Sequence, residues 1–591
     1  MKFPYGMCDF KTIVTEGYEY CDRTGYIPLL EQGRYLLFLR PRRFGKSLLL
    51  SMLANYYDVA KADRFDTMFG HLEIGQQPTP FHNQYFILKW DFSCVDPSGD
   101  AQEIKRSLYN HINGCIEDFA LYYRNVLPRE IPLDPNDALR SIKSLIAVVR
   151  MTEYPIYLLI DEYDNFANEV LMGIRQGKAV YEALVFEEGP LKTLFKTIKS
   201  STSDSMFDRI FITGVSPVVM SDITSGYNIA EFISTDETYQ TLCGFTETEI
   251  HACLNRIAAE DDDDDGTETA LHLMRTYYNR HQFAIEATDS IYNPTLALYF
   301  LKYFAAKRRF PRKMLDTNLA TDDAKLRYIA QIPGGKTLLT NLNQEGHEVA
   351  VLELADRFGV KEMLSDAGKD QRFLASLLYY FGILTLNGET DEGELRLTVP
   401  NLVMRKLYVE RVQEMLLPEP TERDAGVFAA KQVYTKGDMQ PLAEFIEQHY
   451  FRIFHIPDYK WADELTVKTL FLSLLYNDTL YIMDSEPEVE RRYPDLTMII
   501  RPDMRRFKIF DVLIEFKYVK LGDLNLSAEQ IRTSNLKTLR QIPLLQRQMQ
   551  DATHQVRDYG DALQRKYPDL RLKRFAVVAV GFERLWWEAV Q

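Results

Sequence analysis

Leu39-Arg40-Pro41-Arg42-Arg43-Phe44-Gly45-Lys46-Ser47 decides how the first half of the chain folds. An apolar run, Tyr35-Leu36-Leu37-Phe38-Leu39, leads into it, and a leucine-rich segment, residues 48–53, leads out. That order predicts a strand, a tight loop and a helix. Gly-Lys-Ser at a loop–helix junction is the second half of a phosphate-binding loop. The residue types follow from the geometry. The first N–H groups of a helix lack intrahelical acceptors and favour an anion. Gly45 brings the backbone close to phosphate with no Cβ in the way. Lys46 would reach the β- and γ-phosphates of ATP, and the Ser47 hydroxyl would hold Mg²⁺. Arg42, Arg43 and Phe44 belong to the same candidate nucleotide loop.

In the full pattern, G-x-x-x-x-G-K-S, the first glycine falls on Arg40. The triplet alone would also suit a basic loop before a buried helix. Tyr157-Leu158-Leu159-Ile160-Asp161-Glu162 separates the two cases. It is an apolar run of buried-strand type that ends in two carboxylates. Asp161 is placed to hold the Mg²⁺ shell, and Glu162 to activate a water. A third strand, 209–213, ends at Thr213 before Gly214-Val215-Ser216-Pro217. A polar side chain there can meet the γ-phosphate or the attacking water; otherwise it is an ordinary strand-end threonine. The alternation of strands and helices between these motifs predicts an α/β domain.

Arg40-Pro41-Arg42-Arg43-Phe44-Gly45-Lys46-Ser47 resembles the phosphate loop of the AAA-ATPase-like family common in bacteria. Arg-Pro-Arg-Arg-Phe-Gly-Lys-Ser is that family's own form, so Arg40 is a family trait. Pro4-Tyr5-Gly6, Asp9-Phe10 and Tyr20-Cys21-Asp22-Arg23-Thr24 also resemble its opening strings, with Cys21 and Arg23 as departures. Thr213-Gly214-Val215-Ser216-Pro217 resembles its sensor element. The resemblance implies a P-loop AAA-type ATPase core, and often a C-terminal nuclease-like domain of the PD-(D/E)xK type.

The chain has 591 residues, enough for several domains, and is 46% hydrophobic and 26% charged. A net charge of −16 excludes a general polyanion binder, so any nucleic-acid contact must come from local basic patches. The aspartate run at 261–265 reads as a solvated loop. No apolar run is long enough to span a membrane, and the N-terminus lacks a signal-peptide core. A cytoplasmic protein is expected, with no membrane partner. The six cysteines, without a C-x-x-C pair, are expected to be reduced thiols rather than a zinc site.

Five segments are expected: the ATPase core at 1–235, a helical lid at 236–318, a winged-helix-like domain at 319–415, a linker at 416–440 and a nuclease-like domain at 441–591. Thr246 and Glu249 have capping-box spacing at the start of the lid. Gly-Phe-Thr-Glu and Tyr292-Asn293-Pro294 resemble lid strings of the family, whereas its Tyr-x-Gly-Tyr-x-Phe is altered to Tyr278-Asn279-Arg280-His281-Gln282-Phe283. The wing, with an acidic turn at 389–394, suits packing better than DNA. The last segment predicts an α/β restriction-endonuclease-like fold.

That final segment carries a second constellation. Pro494-Asp495 precedes the strand Leu496-Thr497-Met498-Ile499-Ile500, and Phe510-Asp511-Val512-Leu513-Ile514-Glu515-Phe516-Lys517 follows after a turn. A period of two puts Val512, Ile514 and Phe516 on one face, and Asp511, Leu513, Glu515 and Lys517 on the other. Asp495 and Glu515 on adjacent strands can share Mg²⁺ or Mn²⁺. Lys517 can orient the metal-bound water and steady the phosphate. Asp503 rivals Asp495 but sits in the turn; a hairpin with paired charges is the plain alternative.

Glu464, on a helix expected at 463–476, could add an acidic ligand or simply be solvated. The helix Ala552-Thr553-His554-Gln555-Val556-Arg557-Asp558-Tyr559 puts Gln555 and Tyr559 on one face and resembles the family's Ala-x-x-Gln-Ile-x-x-Tyr helix, which packs beside the site. His554 reads as structural. Residues 574–582 read as the closing buried strand. The basic residues between 532 and 574 would contact phosphates or form a solvated face.

The expected function is an ATPase fused to a metal-dependent DNA nuclease, gated by nucleotide, with ATP and DNA as partners; a homo-oligomer is compatible with it. The alternative is a nucleotide-controlled regulatory or assembly protein whose nuclease-like domain binds without cutting.

Overall fold

The computed structural model describes residues 1–165, 189–203, 206–218, 227–259, 266–315, 348–355, 370–453, 464–484 and 494–591, with a few single positions between these stretches. The aspartate run 261–265 and most of 319–347 lie outside the described residues. The chain divides into two compact units. The first is Met1–Arg309 with Ala350–Pro400, and the second is Phe310–Val349 with Asn401–Gln591.

In the first unit, β1 (Tyr35–Leu39) enters the loop 40–45, and α1 (Lys46–Tyr57) leaves it. There follow β2 (Phe86–Asp91), α2 (Ala101–Tyr122), α3 (Ala138–Val149), β3 (Ile156–Asp161), α4 (Pro190–Thr202), β4 (Phe207–Gly214) and the short β5 (Glu231–Phe232). The strands form one parallel sheet in the order β2-β3-β4-β1-β5. Every residue of β3 is buried, as expected for a parallel strand covered on both faces. β4 lies between β1 and β3, so the carboxyl ends of three strands meet side by side. Those ends carry Leu39, Thr213 and Asp161.

The lid helices are α5 (Glu247–Ala259), α6 (Thr267–Tyr278) and α7 (Pro294–Lys307). The capping box at the start of α5 is formed: Thr246 N–H donates to Glu249 Oε2 at 2.8 Å, and Glu249 N–H to Thr246 Oγ1 at 3.2 Å. Glu249 also pairs with the Arg23 guanidinium, which donates to Gly244 O at 2.8 Å. The departure at Arg23 thus ties the N-terminal segment to the lid.

Within the segment expected to be winged-helix-like lie α8 (Gln371–Tyr380), β7 (Thr385–Glu389) and β8 (Leu395–Thr398), a helix and a hairpin across the acidic turn, with β6 (Val349–Val351) completing a sheet ordered β6-β8-β7. They are fastened to the phosphate loop. Tyr379 OH donates to Phe283 O at 2.8 Å. Gly382 has φ +75, and a Cβ there would meet Pro41 Cγ at 2.4 Å. Only glycine suits both that conformation and that approach.

The second unit corrects the expectation of a linker at 416–440. After α9 (Leu402–Leu416), α10 (Pro420–Lys436) fills most of that stretch. Pro420 sits in the first turn, where no donor is needed. Gly426, Ala429, Ala430 and Val433 recur at helical spacing and are buried. The prolines and charges of this stretch mask that spacing in the sequence.

Further along come α11 (Glu464–Leu475), β9 (Tyr481–Asp484), β10 (Leu496–Ile500), β11 (Asp511–Val519), α12 (Pro543–Lys566), β12 (Leu572–Val580) and β13 (Arg584–Val590). Residue 463, the expected start of α11, lies outside the described residues. The sheet order is β13-β12-β11-β10-β9, with β11 and β12 parallel and the other pairs antiparallel. α12 makes the crossover that a parallel pair requires. Val512, Ile514 and Phe516 face one core with Val412, Val433 and Phe471. Leu513 faces the other with Met549, Ala552 and Val556 of α12. Both faces of the hairpin are therefore covered. The strand expected to close the sheet, β12, is interior; β13 lies beyond it as the edge. β13 lies outside the strands expected from the sequence.

Two candidate active sites

At the first site, Gly45 caps α1 with φ 92 and leaves the first N–H groups of the helix open towards the loop. Lys46 is buried and folds back, donating to Arg40 O at 2.9 Å and Pro41 O at 3.1 Å. The Ser47 hydroxyl donates to Asp161 Oδ2 at 2.7 Å, and the Thr213 hydroxyl to Asp161 Oδ1 at 2.7 Å. Sheet order explains this chain of contacts, since β4 places Thr213 between the loop and Asp161. Glu162, the next residue, has φ 50 and a carboxyl whose pKa burial raises, against the pull of Lys46.

Arg42 donates to Asn165. Arg43 has φ 67, its carbonyl accepts from Thr295 of α7 at 3.1 Å, and its Nη1 is buried with no hydrogen-bond partner among the described residues. Phe44 points into the core against His281 and Phe283, so only its backbone faces the loop. Beside the loop lies a cavity of about 250 Å³. Lys46, Ser47 and Glu162 line its polar side; Tyr20, Phe245 and Leu298 line its apolar side.

The sequence did not reveal the role of Arg40. Its guanidinium is sandwiched 4.4 Å from both the Phe38 and Phe283 rings, and donates to Ser234 O and Tyr239 O. In place of a flexible glycine, the loop has a cation clamped between aromatic faces. Asp164 was missed as well: it accepts from Val215 N–H, Ser216 N–H and the Ser216 hydroxyl, and so fixes the loop after β4.

At the second site, Leu496 pairs with Ile514, which brings Asp495 beside Glu515. Phe516 N–H donates to Asp495 Oδ2 at 2.7 Å, and Lys517 Nζ to Glu515 Oε1 at 3.0 Å. Glu515 Oε2 is buried with no partner among the described residues. Glu464 joins them from α11. Burial raises its pKa, opposed by Lys517, and it accepts the Tyr518 N–H.

Lys468, one turn further along α11, pairs with Asp495 Oδ1. The sequence offered one signal for it, the spacing of four from Glu464. Among the described residues, no group of three or more His, Cys, Asp or Glu side chains is gathered as a metal cluster; Asp495 and Glu515 are held by two lysines, and Glu464 stands near them without being gathered as a third ligand.

Asp511, on the same face by periodicity, is structural: it accepts from Ile500 N–H, Arg571 N–H and Arg505. Asp503 is held by Arg501 in the turn. Gln555 and Tyr559 lie on α12, which packs across β11 and β12; Gln555 Oε1 is buried without a partner among the described residues.

Residues 4–224 match the family model described as "Predicted AAA-ATPase", and residues 462–588 match the PD-(D/E)XK nuclease superfamily. The chain joins an AAA-ATPase-like domain to a PD-(D/E)XK nuclease-superfamily domain. An uncharacterized protein of the vnfD 5' region of Azotobacter chroococcum mcd 1 is 26% identical over 435 residues, 71% of this chain and 71% of that protein. Two solved structures also align. The Walker-type ATPase of Pyrococcus abyssi does so at 13% identity and a TM-score of 0.37, covering 69% of this chain and 98% of that one. The Aeropyrum pernix ORC1 protein in complex with DNA does so at 10% and 0.23, covering 68% and 89%. No described helix is long and apolar enough to cross a membrane, and all six cysteines are free.

The nuclease-superfamily domain should show a pH signature. Burial, and then Asp495, push the Glu515 carboxyl up to about 7, with Lys517 opposing. A folded-state value above the ordinary 4.5 means that the protonated form is favoured by folding. That contribution is complete below about 4.5 and is lost as pH rises through about 7. Glu515→Gln should therefore match the parent in thermal melts near pH 4 and exceed it at pH 8. Equal differences at both pH values would show that Glu515 does not titrate in this window.

Proposed function

We propose that the first unit binds and hydrolyses ATP with Mg²⁺, and that the second hydrolyses DNA phosphodiesters with Mg²⁺ or Mn²⁺ under nucleotide control. The observation that carries the nuclease half is the convergence of Asp495, Glu515 and Lys517, with Glu515 Oε2 buried and unpartnered among the described residues. An orphaned buried carboxylate oxygen is costly unless a ligand takes it. Oxygen donors of this kind fit a hard divalent cation. Such an ion would supply Lewis acidity and an activated water. Lys517 would then hold the negative charge that develops on the phosphate.

At the first site, the helix N-terminus and Lys46 receive the phosphates, with Lys46 exchanging the Arg40 and Pro41 carbonyls for phosphate oxygens. Ser47 and Asp161, already joined, are the pair suited to Mg²⁺. Glu162, its pKa raised by burial, accepts the proton of the attacking water. The apolar side of the cavity, at Tyr20, Phe245 and Leu298, suits the base.

The test is the full chain with linear, circular and single-stranded DNA, in Mg²⁺ or Mn²⁺, with and without a non-hydrolysable ATP analogue. Cleavage should require the divalent ion, and the analogue should change its rate about 5–150-fold, the range of a typical coupling energy. Equal rates with and without nucleotide would refute the control. Binding of DNA without cleavage of any form would favour a regulatory, non-cutting role.

A further inference from the structure

A divalent ion shared by Asp495 and Glu515 needs one oxygen from each carboxylate. Glu515 offers Oε2, which is buried and has no partner among the described residues. Asp495 has a donor on both oxygens. Its Oδ2 takes the Phe516 N–H at 2.7 Å, a donor fixed in the backbone of β11. Its Oδ1 takes the Lys468 ammonium, and both side chains are largely buried, 16% and 10% exposed. A backbone amide cannot leave without breaking the strand, whereas a lysine on a flexible four-carbon stem can swing away.

We propose that Lys468 is a built-in competitor for the metal ion: it holds Asp495 in the metal-free chain and gives up Oδ1 when a divalent cation binds. This rests on the metal-site assignment made above. Like charges on one carboxylate oxygen repel strongly at this burial, so the ammonium and the ion exclude each other. Glu464, one turn back on α11, is close enough to feel the charges of both Lys468 and Lys517 and offers the displaced ammonium a second anion. Lys517 does not compete in the same way, because it sits on Glu515 Oε1 and leaves Oε2 open. The site thereby carries its own cation, and a low concentration of divalent ion leaves it closed.

The test is a Mn²⁺ titration of the full chain, free of nucleotide and DNA, followed by electron paramagnetic resonance of unbound Mn²⁺. Asp495→Asn defines the site as the binding it removes. Lys468→Met should bind Mn²⁺ at that site about tenfold more tightly, because a competing charge is gone. Lys468→Arg, which keeps the charge, should not tighten binding. Should methionine prevent folding, judged by circular dichroism, acetyl-lysine at 468 keeps the stem, removes the charge and must tighten binding likewise. A folded Lys468→Met or acetylated chain with unchanged or weaker affinity, or a tighter Lys468→Arg, overturns the competitor role while the metal site stands. An Asp495→Asn chain that binds Mn²⁺ as the parent does overturns the metal site itself, and the inference with it.

Discussion

Lys46→Ala should lower ATP affinity by roughly 3 kcal/mol, about 150-fold in Kd, by the usual worth of hydrogen bonds to a charged group. The ammonium now donates to Arg40 O and Pro41 O, within the loop that would hold the phosphates. Alanine removes the charge and leaves the loop's other anchors in place. Arg40 stays clamped between Phe38 and Phe283, and Phe44 stays in the core. The loss should therefore appear in calorimetric ATP binding and not in the melting temperature of the free chain. Glu162→Gln separates binding from chemistry: it should retain ATP while hydrolysis falls about 10²–10⁴-fold, the usual worth of a general base. An alanine variant at Lys46 that binds ATP as the parent does would place the nucleotide elsewhere.

The second large effect is expected at the other site. Lys517→Ala should slow DNA cleavage about 10²–10³-fold, the typical cost of one transition-state donor. For Asp495, asparagine is a better test than alanine. Its side-chain oxygen can still accept the Phe516 N–H, which alanine would leave buried without a partner. Asp495→Asn should remove detectable metal-dependent cleavage while the second unit melts within a few degrees of the parent. The apolar faces on either side of β11 hold that unit together without the carboxylate. Cleavage undiminished in both variants would mean that another site, or another protein, does the cutting.

Much of both candidate sites was legible in sequence because their residues sit at strand or helix ends, or on one face of a single strand, with strict spacing. The run 39–47 sets a strand, a loop and a helix N-terminus, and helix geometry then fixes where an anion is favoured. The run 157–162 marks a buried strand because apolar residues without alternation suit a sheet covered on both faces. The period of two in 511–517 assigns faces, and it places Glu515 and Lys517 together without any knowledge of the partner strand. The same periodicity also put Asp511 on that face. Only its bonds to Arg505, in the turn before it, and to the Arg571 N–H, sixty residues on, show that it is a structural anchor.

Tertiary structure decided what spacing cannot encode. Sheet order places β4 between β1 and β3, and so makes Thr213 a direct partner of Asp161 rather than an isolated strand end. Arg40 reads as a missing glycine, yet it is a buried cation whose partners, Phe283, Ser234 and Tyr239, lie about two hundred residues away. Residues 416–440 read as a linker until burial of Ala429, Ala430 and Val433 shows a packed helix. For Lys468 the spacing of four from Glu464 gives a helix face but not the carboxylate it meets. A sequence fixes which residues share one helix or strand face, because that is local covalent geometry. Which faces meet is fixed by the packing of elements far apart in the chain, and it is there that Lys468 comes to rest on Asp495.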